Sequence, residues 1–308
     1  NQDMSFDQFV RWQIAGDLVA PGEPAAAIAT GFLLCGPDMP DLNRQDERRH
    51  MVLNEMTGTL GAVFLGLQLG CAECHDHKYD PLSLADFYRL RACFESTDLF
   101  RDHPLGRNDT RLESDRPPYL RASAGAAEWR GRSLKETQQA STSARWYVRG
   151  DYRRPGGSVE PAAPRVLSSE SRWKSAEEVP ARRKLADWLA GDSQPIVDRV
   201  AVNRLWQELF GAGLVTTPSD FGQLGSAPSH PELLDWLVHR WRQQGRSPKR
   251  WIRDVMLSAA YGQASGIATV EGESKWSAER RDALAANLRL ARKLDAHNRW
   301  LVGQNRKR

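Results

Sequence analysis

The sequence predicts a mainly α fold: two helical regions joined by an irregular Pro/Gly-rich connector with little strand. Three observations carry this. Residues 1–100 hold four stretches in which apolar side chains recur every three or four positions. Residues 173–308 hold five more. Between them, residues 101–172 are dominated by Pro, Gly, Ser and Arg, and helical periodicity fades. A chain of 308 residues has room for two domains of ordinary size. The expected division is therefore 1–100, 101–172 and 173–308.

The elements follow in order. Ser5 with Gln8 makes a capping-box signature ahead of Phe6, Phe9, Val10 and Ile14, and Gly16 suggests a stop. A short helix is expected around Ala25–Leu34, closed by Gly36-Pro37. A long helix is expected from Gln45 to Leu67, with Met51, Leu53, Met56, Leu60, Val63, Phe64 and Leu67 as its apolar stripe. "SLADFYRLRACFES" places Leu84, Phe87, Leu90 and Phe94 on one side of another helix. The connector offers one strand-like piece, Trp146–Arg149, and residues 123–143 are expected to be mobile. In the last third, helices are expected to close at Gly191, at Gly211–Gly213 and at Gly245. Ser229 with Glu232 reads as a capping box, Ser247-Pro248 as a helix start, and Ser277–Ala296 as a charged helix.

Composition excludes several function classes. Forty-three basic and 39 acidic residues leave a net charge of +4, too small and too mixed in sign to predict a nucleic-acid partner. No apolar run approaches the ~20 residues of a membrane span. Eleven tryptophans fall mostly on helix faces and are read as packing residues.

Chemistry concentrates in Gly70–Pro81, "GCAECHDHKYDP". Cys71, Cys74 and His75 form a Cys-x-x-Cys-His run. That spacing suits covalent haem: two thioethers tether the ring edge, and the next residue ligates the iron. Zinc is the rival, since Cys71, Cys74, His75 and His77 are all zinc-ligand types. Structural zinc sites, however, usually draw ligand pairs from separated parts of a chain. A thioredoxin-like dithiol lacks its βαβ context here. Cys35 and Cys93, with apolar neighbours on expected helices, are read as buried free thiols.

"GTLGAVFLGLQLGCAECHDHKYDPLSLADFYRLRACFES" resembles the planctomycete-type cytochrome c-like domain, as do "FDQFVRWQIAGDLVA" and "IATGFLLCGP" upstream. "RRKLADWLAGDSQPIVDRVAVNRLWQELFGAGLVTTPSDFGQLGSAPSHPELLDWLVHRW" and the final "DAHNRWLVGQNRKR" resemble the planctomycete-specific domain usually fused behind it. The resemblance implies an exported, multidomain haem protein and supplies no reaction. It also implies that the chain is a piece, incomplete at both ends.

These readings set the site expectations. Haem c is held by Cys71 and Cys74, with His75 as the proximal ligand. His77 cannot take the opposite face, because two residues span only about 7 Å. It is expected in a supporting role, with Lys78 and Tyr79 near the propionates. Candidates for the opposite face are His50, Met51, Met56 and His103; an open face is the alternative. Asn203, Arg204, Asp220 and His230 are read as caps and loop bridges. The expected activity is electron transfer outside the cytoplasm, with a redox partner protein or other haem domains, in a possible larger complex. The alternatives are a haem- or zinc-stabilised scaffold without turnover and an oxidase- or peroxidase-like enzyme with an open haem face.

Overall fold

The computed structural model describes residues 3–107, 128–137, 144–168, 173, 179–263 and 275–295. They are mainly helical, and what strand there is lies between two helical blocks. The chain divides into two compact units, residues 6–197 and residues 1–5 with 198–308.

The first unit opens with α1 (Phe6–Val19). Gly16 does not stop this helix. The backbone kinks at Ala15 and runs on, and a Cβ at Gly16 would sit 1.9 Å from the Ala26 carbonyl oxygen. The glycine is needed for close passage of α2 (Pro24–Ala29), which continues as a 3-10 turn to Leu34. Next, α3 (Gln45–Leu60) is shorter than its apolar pattern suggests. Residues Gly61–Leu65 loosen into a π-type segment that ends on left-handed Gly66. The pattern persists because Phe64 and Leu65 stay buried. Met51 leaves the stripe and is 42% exposed. A 3-10 turn at Leu69–Glu73 leads into α4 (Leu84–Arg91), which starts on a complete capping box between Ser83 and Asp86.

The connector contributes short antiparallel ladders. β1 (Thr97–Asp98) pairs with β4 (Lys135–Glu136), β2 (Asp102–Arg107) with β3 (Glu128–Arg132), and β5 (Arg145–Tyr147) with β6 (Pro155–Ser158). Within the stretch expected to be mobile, residues 128–132 and 135–136 are therefore paired, while 123–127 and 138–143 lie outside the described residues. Arg165 of the connector donates to the Asp86 carboxylate of the capping box, which ties the connector to the start of α4. Then α5 (Ala181–Leu189) packs on α1. Arg182, fully buried, holds Asp17 through two 2.7 Å bonds and donates to the Ile14 carbonyl. The core of this unit joins Ile14, Leu53, Leu60, Phe87, Phe94 and Leu185 among others.

The second unit takes over inside α6 (Pro195–Phe210). It adds α7 (Pro231–Gln243), α8 (Pro248–Met256) and α9 (Ala278–Leu294). Trp241 and Trp251 are fully buried edge to face, whereas Trp236 is 59% exposed and departs from the packing role. Asp198, also buried, accepts from Trp241 Nε1, Arg242 and Arg246. The expected box of Ser229 and Glu232 does not form: α7 starts after His230, which makes no side-chain capping bond, with Pro231 in its first turn. Ser247 caps α8 as expected, accepting from the Arg250 N–H.

Candidate haem-attachment site

The motif lies on the 3-10 turn between α3 and α4 of the first unit. Leu69 and Ala72 are fully buried and anchor it, while Tyr88 on α4 donates to the Glu73 carbonyl at 3.1 Å. The positions between these anchors face outward. Cys71 and Cys74 are exposed free thiols. His75 is exposed too, and its Nδ1 lies 2.7 Å from the Asp76 carbonyl oxygen. A carbonyl can only accept, so Nδ1 carries the proton and the Nε2 lone pair is left for a metal.

His77 does something that its sequence context does not signal. Its Nδ1 accepts from the Asp80 N–H at 2.8 Å and from the Tyr79 N–H at 3.3 Å. The ring thus staples the "HKYDP" turn, with the Asp80 carboxylate 3.6 Å from the same nitrogen. The His77 N–H in turn donates to the Leu82 carbonyl, and the Leu84 N–H donates to Asp76. Lys78 and Tyr79 project outward, with the ammonium 5.1 Å from the ring centre.

Behind the motif lies a polar cluster. His50 on α3 is 6% exposed. Its Nε2 sits 3.0 Å from the Gly150 carbonyl. Asn54 Nδ2, 2.8 Å from the same nitrogen, donates to Glu73 Oε1 at 2.8 Å, while Asn54 Oδ1 accepts from Arg91 Nε. The Tyr147 ring stands edge-on to His50 and tilted against Tyr88. Burial and the nearby Arg91 guanidinium lower the pKa of His50 to about 4. Burial raises the Glu73 carboxyl above its usual range. A cavity of about 640 Å³ opens beside this cluster, lined by α3, by Gly70 and Glu73 of the motif, and by the 150–153 turn. That volume is within the range of cofactor-sized pockets.

The opposite-face candidates separate. His50 and Met51 line this cavity. Met56 is 1% exposed within the core. His103 lines a different cavity, of about 440 Å³, with Nε2 3.7 Å from Asp98. Cys93 is buried as expected; Cys35 is exposed, a correction that follows from its place at the end of a short 3-10 turn. In the second unit, Asn203 exchanges two bonds with the Val215 backbone, Arg204 donates to the Pro218 carbonyl, and Asp220 accepts from Gly222. All three bridge loops, and His230 is exposed beside Ser229. Sequence reasoning missed Asn54, Glu73, Arg91 and Gly150; only Glu73, inside the motif, was locally signalled.

The donor set fits haem c. Two free thiols and one imidazole are exposed within five consecutive residues. Among the described residues, no three His, Cys, Asp or Glu side chains are grouped to hold a metal ion. No described helix is long and apolar enough to cross a membrane. Neither a curated protein nor a solved structure matches the chain. Family models do: residues 1–99 match PSCyt2, described as a protein of unknown function (DUF1549), and residues 181–308 match PSD1, described as a protein of unknown function (DUF1553). The chain thus matches PSCyt2 and then PSD1, two planctomycete-associated family models, in the order its motifs implied.

Proposed function

We propose that residues 1–100 bear a covalently attached haem and serve electron transfer outside the cytoplasm, with 101–172 as connector and 173–308 as a helical partner domain. The observation that carries this is the exposure of Cys71, Cys74 and His75 within five consecutive residues, with Nδ1 of His75 engaged by the Asp76 carbonyl. Haem, when bound, supplies an iron that changes oxidation state by one electron.

The chain's own residues do the rest. Cys71 and Cys74 fix the ring edge. His75 offers Nε2 to the iron, and its hydrogen bond through Nδ1 fixes the ring and raises its basicity. His77 holds the loop that carries His75, and Lys78 supplies a positive charge for a propionate. Redox partners would be proteins or other haem domains docking at the exposed face of the motif. The compartment follows from the chemistry, because haem c is attached outside the bacterial cytoplasm.

The test is expression of the chain behind an export leader with a cytochrome c maturation system. The expected result is a haem that survives acid–acetone extraction, a c-type pyridine haemochrome and one haem mass added. His75→Ala is expected to lower holoprotein yield and alter the Soret band, and His77→Ala to retain ligation. Extractable haem, or stoichiometric zinc in its place, refutes the reading.

A further inference from the structure

We propose that Gly150, 75 residues beyond the motif, is a positioning residue of the attachment site that keeps open the space the Cys74 sulfur needs to form the second thioether. The inference rests on the haem-attachment reading and adds the connector to it.

Gly150 closes a 3-10 turn at Val148–Gly150 that directly follows β5. Its φ is +73°, in the left-handed region that disfavours every side chain. A Cβ placed there would lie 3.0 Å from Cys74 Sγ and 3.1 Å from Glu73 Oε1. Three features fix the turn against the motif. The His50 ring meets the Gly150 carbonyl at 3.0 Å. Tyr147, just upstream, packs on both His50 and Tyr88. Tyr88 in turn holds the Glu73 carbonyl. The backbone of residue 150 is therefore a wall beside the Cys74 thiol.

Thioether formation adds the thiol across a vinyl C=C bond. Sulfur bonds the inner carbon, the thiol proton goes to the outer carbon, and no net oxidation or reduction occurs. The sulfur must shift from its resting place to reach that carbon, and a methyl group 3.0 Å away restricts the shift.

Gly150→Ala tests this, with Gly22→Ala as the control. Gly22 also has a left-handed φ, +86°, but its Cβ would meet nothing within 4 Å. The control therefore carries the backbone strain without the contact. Both variants and the wild type are loaded as full chains, digested and mapped by mass spectrometry. Wild type and Gly22→Ala are expected to be linked at both cysteines. Gly150→Ala is expected to be linked at Cys71 alone, with free Cys74 and an α-band shifted to longer wavelength by the remaining vinyl group. In unloaded protein, the ratio of Cys74 to Cys71 alkylation by a bulky maleimide should fall about fivefold in Gly150→Ala only, equivalent to about 1 kcal/mol in the barrier. Full double linkage in Gly150→Ala, or an equal loss in Gly22→Ala, overturns the role of Gly150 while leaving haem attachment standing. A wild type that takes up no haem refutes the attachment reading itself and the thioether role with it.

Discussion

His50 should make the first unit acid-sensitive. The ring is 6% exposed, Nδ1 is buried without a partner, and Arg91 stands nearby. Protonation would charge a buried ring whose Nδ1 has no partner, beside a guanidinium. The pKa falls from 6.5 to about 4. A depressed folded-state value means that the unfolded chain binds the proton first. Stability is therefore full above pH 6.5 and is lost as pH falls toward 4, where the folded ring also titrates. Between pH 7 and pH 4.5 the loss is about 2.5 kcal/mol. Glu73 works in the opposite sense, because its raised pKa lets the folded state take up a proton as pH falls. Comparison with His50→Gln separates the two: glutamine can still donate to the Gly150 carbonyl, does not titrate, and leaves Glu73 in place. The assay is hydrogen exchange by mass spectrometry on peptides from Gln45–Leu60, corrected for the intrinsic pH dependence of exchange. The wild type should lose about 2.5 kcal/mol more opening free energy than His50→Gln over that interval. Parallel pH profiles for the two proteins would refute the reasoning.

Three further outcomes are expected. Arg182→Met leaves Asp17 without its fully buried partner and should cost about 3–5 kcal/mol, read by urea unfolding and by lost protection in Phe6–Val19. Asp198→Asn removes the shared charge that Arg242 and Arg246 bond to, and should destabilise the second unit by about 3 kcal/mol or more in the same assay on peptides from Pro231–Gln243. Asn203→Ala leaves the buried N–H and C=O of Val215 unpaired, at about 1–3 kcal/mol each, and should leave haem loading at Cys71 and Cys74 unchanged because its role is structural.

Local chemistry was legible where the partners are near in sequence. The helix over Leu84–Arg91, the cap at Ser247 and the left-handed glycines at 211 and 245 follow from residues within one turn of each feature. Errors arose where two local rules compete. Ser229 and Glu232 have capping-box spacing, but Pro231 is pre-set for the first helical position and the helix starts there, after His230. The apolar stripe past Leu60 says that those residues are buried, not that they are α-helical. Gly61 and Gly66 flank a segment that stays in the core while its backbone changes form.

The site divides along the same line. Cys71, Cys74 and His75 were readable because they fall within five consecutive residues, in a spacing that has a chemical use. The support behind them was not, because it comes from three places far apart in the chain. His50 meets Gly150 across 100 residues, Asn54 meets Arg91 across 37, and Tyr88 reaches back 15 to Glu73. None of these pairs has a spacing rule, and each residue alone reads as an ordinary polar or aromatic position. The motif itself links the two scales. Its backbone and its non-reactive side chains, Leu69, Ala72 and the Glu73 carbonyl, are committed to the fold, while both sulfurs and the His75 ring are left outside. A turn anchored in this way can present its reactive atoms without opening the core. The connector, which composition alone would class as filler, is therefore a structural part of the site it reaches.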